Sequence, residues 1–161
     1  DTPSRVARSY AELFGGSFED PGRHLEKLFD HEGASSDLVI VRDIEFHSIC
    51  EHHLLPFSGR AQVAYQPGRA KVVGLSKIAR TVDSIARRPQ IQERLGSQIA
   101  DLMMERLAAR GVLVVLDARH TCMSGRGAKQ GAASMRTTAV RGEFIEDRDL
   151  RREGLALLLG D

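Results

Sequence analysis

The sequence predicts an α+β domain in which helices cover one face of an antiparallel sheet. Three observations lead there. Segments such as "LVIVRDIEFHSI" and "GRAQVAYQ" alternate apolar and polar residues, as half-buried strands do. Other segments, led by "SKIARTVDSIARR", repeat apolar residues at helical spacing. No repeat, low-complexity tract or linker divides the 161 residues, a length that fits one domain with a real core.

The elements follow in order. "TPSRVARSYAELFGG" is bounded by its own signals: Thr2 as N-cap, Pro3 in the first turn and Gly15-Gly16 as the stop. Residues 17–37 show no clear period and end in "GASSD", a loop composition. In "LVIVRDIEFHSI", Ile44, Phe46 and Ser48 alternate against Glu45 and His47. "GRAQVAYQ" alternates too, and Pro67-Gly68 turns it towards "KVVGL". Ile78, Val82 and Ile85 then mark a helix that Pro89 ends, opening a second helix. Ile91, Leu95, Ile99, Leu102 and Leu107 share its face, and Gly111 is expected to close it. "VLVVLDA" reads as a buried strand, "RTTAVRGEFI" as another, and "RDLRREGLALLLG" as a terminal helix.

Composition narrows the function classes. The chain is 42% hydrophobic and 28% charged, an ordinary globular balance. With 23 basic and 22 acidic residues its net charge is +1, so no global field draws it to nucleic acid or membrane. Anion binding would have to come from local clusters. The longest apolar runs, "GVLVVL" and "LALLLG", are too short to span a bilayer. No basic-then-apolar signal peptide opens the sequence, and its abrupt start at "DTPSRVARSY" leaves room for a preceding segment. A cytoplasmic location is expected.

The chemistry concentrates in "SICEHHLLPF". Cys50 and His53 stand three apart at the end of a strand, a spacing that lets a thiolate and an imidazole converge on one ion. The only other cysteine, Cys122 in "ARHTCMSGRG", also follows a strand. Each cysteine has a histidine two residues away, His52 and His120. These residues alone leave several readings open. The two sulfurs suit a disulfide in an oxidising compartment, and four ligands would make a closed structural zinc site. Three ligands would leave a position for water. His52 and His120 could equally be hydrogen-bonded core histidines.

"CEHHLLPF", followed by "GLSKIAR", "RPQIQERL" and "HTCMSGRG", closely resembles GTP cyclohydrolase I. The resemblance runs from "DTPSRVA" to about "VRGEF", with the blocks in the family's order. It implies the tunnelling fold, assembled into a ring-shaped homo-oligomer, a decamer of two pentamers. It also implies a single domain over 1–161, with an N-terminal helical segment at 2–16, a catalytic core over about 38–146 and a C-terminal helix over about 148–160. The implied reaction is hydrolytic opening of the guanine imidazole ring of GTP, which releases formate and gives 7,8-dihydroneopterin triphosphate, the first step of tetrahydrofolate and pterin biosynthesis.

Carried over position by position, the resemblance assigns Zn2+ to Cys50, His53 and Cys122, with one place left for water. It makes His120 the general acid near the base and His52 a second proton carrier, work that suits imidazoles near pH 7. Glu93 would bind guanine, its carboxylate taking N1–H and the exocyclic amine together, with Gln92 beside it. Ser76, Lys77, Arg80, Arg126, Arg5 and Arg8 would hold the triphosphate. Lys77 and Arg80, like Arg5 and Arg8, are three apart and so share a helix face. Arg8 stands where the family commonly has lysine. Gly125 replaces a usual methionine, and Ala128 a larger apolar residue. These departures bear on substrate fit rather than on the metal. Three rivals remain: another tunnelling-fold purine or pterin enzyme, a copy specialised for a secondary pathway, and a non-catalytic metal-binding homologue.

Overall fold

The computed structural model describes residues 1–30, 37–68 and 71–160. Helix α1 spans Thr2–Leu13 and is followed by two 3₁₀ turns, Gly15–Phe18 and Pro21–Leu25. Then come strands β1 (Leu28–Asp30), β2 (Val39–Cys50), β3 (Leu55–Gln66) and β4 (Lys71–Val73). Helix α2 (Leu75–Ala86), the two-residue strand β5 (Pro89–Gln90) and helix α3 (Gln92–Leu107) follow. The chain continues through β6 (Gly111–His120), the single turn α4 (Thr121–Ser124) and β7 (Met135–Gly142). It ends with the short α5 (Glu143–Glu146) and α6 (Arg148–Leu159). The loop expected at "GASSD" lies, as far as Ser36, outside the described residues.

The main sheet has the order β5-β2-β3-β6-β7, antiparallel except where β5 runs parallel to β2. A second sheet pairs β1 with β4. Pairing β2 to β3 and β3 to β6, each antiparallel, makes β2 and β6 run the same way. Their carboxyl ends, Cys50 and His120, therefore share one end of the sheet with only β3 between them. β5 enters beside Ile49 and Cys50 and delivers the start of α3 to that same end.

Helices α2 and α3 lie on one face. Ile78, Val82, Leu95, Ile99 and Met103 pack there against Phe46, Val63, Tyr65, Val114 and Leu116. The other face is covered as well: Ala64, Leu113 and Val115 pack with Phe144 and with Leu158 of α6. This explains why β6 reads as a continuous apolar run, since both faces of a central strand are buried. Ile99 is fully buried in the larger cluster. Ile99→Ala should cost about 2–5 kcal/mol, read as a lower urea midpoint. An unchanged midpoint would remove α3 from the core.

Several boundaries differ from the sequence expectation. Pro89 ends α2 but pairs in β5, and α3 begins three residues later. That helix closes at Ala108, in the left-handed region at φ 47°, while Gly111 opens β6 instead. Asp1, not Thr2, precedes α1, and it makes no side-chain cap. "RTTAVRGEFI" divides at Gly142 into strand and helix. In β2 the register shifts between Val41 and Ile44, with Asp43 at φ 57°. This bulge places both Val41 and Ile44, three apart, on the face covered by α2 and α3.

Candidate active site

Cys50 is the last residue of β2 and is buried. The turn after it is pinned from two sides. Leu54 N–H donates to the Cys50 carbonyl at 2.9 Å, and Glu51 N–H donates to the Gln90 carbonyl at 2.9 Å. The Glu51 carboxylate also binds Arg94 of α3, which holds its pKa below the usual carboxylate value. Arg94 in turn donates from Nε to Gln90 Oε1 at 3.0 Å and from Nη2 to the Pro89 carbonyl at 2.9 Å. The cysteine turn is thus tied to the start of α3. Nothing in the sequence marked Glu51 or Arg94 for this.

From the other strand end, His120 finishes β6 and Cys122 sits in α4, two residues later. Thr121 Oγ1 donates to the Pro56 carbonyl at 2.6 Å, fixing that turn against β3. The His120 ring lies flat on Phe57, its cross-strand partner, with centroids 4.4 Å apart and planes 5° apart. Its Nε2 is 2.8 Å from Gln92 Oε1. Burial lowers the pKa of His120, opposed by the charge of Glu93, so the neutral ring is favoured near pH 7.

The ligand atoms of Cys50, His120 and Cys122 all lie within 4.8 Å of one another. Two sulfurs and an imidazole make a donor set suited to zinc and neighbouring borderline metals. Burial, and then the adjacent Cys50 sulfur, raise the pKa of the Cys122 thiol. A cation between the two sulfurs would offset that cost, and the donor set would accommodate one. His52 stands beside this group, its Nδ1 3.7 Å from Cys50 Sγ. His53, the third ligand implied by the resemblance, lies outside it, with Nε2 3.3 Å from Arg126 Nη1.

A cavity of about 240 Å³ opens on the cluster. Cys50, His52, His120 and Cys122 line it from the strand ends, and Gln92 and Glu93 from α3. Ile91, Met123 and Met135 supply apolar walls. Pockets for drug-sized ligands commonly hold about 300–1,000 Å³, so this one suits a flat base rather than a whole nucleotide. Glu93 thus lines the same space as the cysteines. Gln92 borders it, but its side chain is 1% exposed and bonded within the protein.

The cations implied for the triphosphate do not line that cavity. Ser76, Lys77 and Arg80 are on the first turns of α2, and Arg5 and Arg8 are exposed on α1. Lys77 and Arg80 lie near enough to His24 for their charges to help lower its pKa, after burial and Arg23. A larger cleft of about 430 Å³ lies over the sheet near Arg42, Asp43 and Asp117. Its charges are largely paired, Arg136 with Asp117 at 2.7 Å and Arg60 with Asp43 at 3.4 Å. No metal-binding group is found there among the described residues.

In fold the chain is similar to an archaeosine synthase QueF-Like solved in its apo form, with a TM-score of 0.53. That likeness covers 69% of this chain and 97% of the other at 17% identity, and it shows shared architecture alone. The family model for GTP cyclohydrolase I matches residues 1–159. The GTP cyclohydrolase 1 of Bacillus cytotoxicus is 56% identical over 160 residues, spanning 98% of this chain and 82% of that protein. The GTP cyclohydrolase 1 of Carboxydothermus hydrogenoformans is 54% identical over 158 residues, 98% of this chain and 81% of that one. The chain belongs to the GTP cyclohydrolase I family.

Proposed function

We propose that the chain is a zinc-dependent GTP cyclohydrolase I that opens the guanine imidazole ring, releases formate and forms 7,8-dihydroneopterin triphosphate. The observation that carries this reading is the shared cavity: the Glu93 carboxylate and the Cys50–His120–Cys122 group face one base-sized space. Cys50 and Cys122 would hold the ion, with His53 as the third ligand by family pattern. When bound, zinc makes a nucleophile available near neutrality by lowering the pKa of its water from about 15.7 towards about 7.

The chain's own residues do the rest. Glu93 accepts from N1–H and the exocyclic amine, which fixes the base and turns its imidazole ring towards the cysteines. His120, favoured neutral by burial, and His52 move protons to and from the ring nitrogens as bonds break. Ile91, Met123 and Met135 keep bulk water from the base.

The triphosphate would meet Ser76, Lys77, Arg80, Arg126, Arg5 and Arg8 on more than one subunit of a ring-shaped decamer. What supports this is that none of these residues lines the cavity of its own chain, and that no residue of α1 is buried. Among the described residues no helix is long and apolar enough to cross a membrane. A single tunnelling-fold domain over 1–161 working in the cytoplasm completes the proposal.

Incubating zinc-loaded protein with GTP tests it. A pterin that fluoresces after oxidation should accumulate, stop on chelation and resume on metal addition. No pterin from a metal-replete sample would overturn the reading. Glu93→Gln turns one acceptor into a donor facing the N–H groups of the base. Losing such a charge-assisted pair costs about 2–4 kcal/mol, or roughly 30- to 1000-fold in kcat/KM, with zinc retained. Unchanged kinetics would return Glu93 to an ordinary helix residue.

A further inference from the structure

The first residue of α3, Gln92, is buried at 1% exposure beside the cavity, and its amide is fully oriented. Its Nε2 is 3.1 Å from the Leu116 carbonyl, 2.9 Å from the Met135 carbonyl and 3.2 Å from Thr137 Oγ1. Backbone carbonyls only accept, so the NH₂ end must face them and Oε1 must face His120. The amide oxygen also only accepts, so the His120 nitrogen 2.8 Å away must donate. Turning the imidazole over would set a C–H against Oε1 and leave a buried acceptor unpaired. The flat stack on Phe57 holds the ring plane.

We infer that Gln92 is a positioning residue, which keeps a proton on His120 Nε2 and leaves Nδ1 as the nitrogen that works in the site. The sequence places Gln92 beside the guanine ligand as a substrate contact. Its bonded amide instead makes it the orienter of an imidazole, the part that a carboxylate or carbonyl plays beside many active-site histidines. The kinetic part of this inference rests on the cyclohydrolase reading. The proton position does not.

Neutron diffraction from deuterated, metal-loaded protein tests the position directly. The expected result is a deuteron on His120 Nε2 pointing at Gln92 Oε1. A bare Nε2 accepting from the Gln92 amide would overturn the inference. Gln92→Met, similar in volume but unable to accept, should lower kcat by about 10- to 100-fold, the usual effect of removing a residue that orients an active-site ligand. KM for GTP should not change. A raised KM with kcat intact would restore Gln92 as a substrate contact and overturn the inference, as would unaltered kinetics. If Gln92→Met does not fold, or the wild type does not turn over GTP, the deuteron position alone decides.

Discussion

Cys122→Ala is expected to lose both bound metal and turnover. The chain has two cysteines, and the structure brings them together from strand ends that are remote in sequence. Removing one sulfur leaves at most one thiolate and an imidazole, too few ligands to retain zinc against competition. Elemental analysis should find about one zinc per chain in the wild type and almost none in the variant, because structural and catalytic zinc sites need at least three protein ligands. The fold should survive, since Cys122 lies in a half-buried turn at the end of the sheet rather than in its core. Full zinc content in Cys122→Ala would sink the ligand assignment. Lost zinc with retained turnover would instead separate the metal from the reaction.

The second large effect separates two histidines. His120→Ala is expected to keep zinc and fold but to lose activity by about 10²-fold or more, the usual scale for a general acid. His53→Ala is expected to lose zinc. The geometry makes this a sharp test, because His120 rather than His53 stands with the two sulfurs. His53 sits on an exposed turn and contacts Arg126, whereas His120 is stacked on Phe57 and bonded to Gln92. Zinc lost from His120→Ala and kept by His53→Ala would make His120 the third ligand and overturn the acid role.

Much of this site was legible in the sequence, and the remainder was hidden for physical reasons. The alternation of Ile44, Phe46 and Ser48 gave the strand that ends at Cys50, and helical spacing gave the core face of α3. The Asp43 bulge was hidden, because an inserted residue changes facing without changing composition. The convergence of Cys50 with Cys122 depends on β2 and β6 running the same way about β3, which local pattern does not encode. Glu93 stood out only through the block "RPQIQERL"; alone it would be one more charged helix residue. The part played by Gln92 was out of reach, since it needs the β6–β7 carbonyls and the His120 ring in register. Glu51 stood within the motif itself, yet its bond to Arg94 spans 43 residues of sequence.

GTP labelled at C8 tests the central claim most directly, because that carbon is the one the proposed reaction removes. With the zinc-loaded chain, all of the label should leave as formate, one per GTP consumed, and the pterin product should carry none. Label retained in the organic product, or no formate from protein that demonstrably holds its metal, would contradict the account.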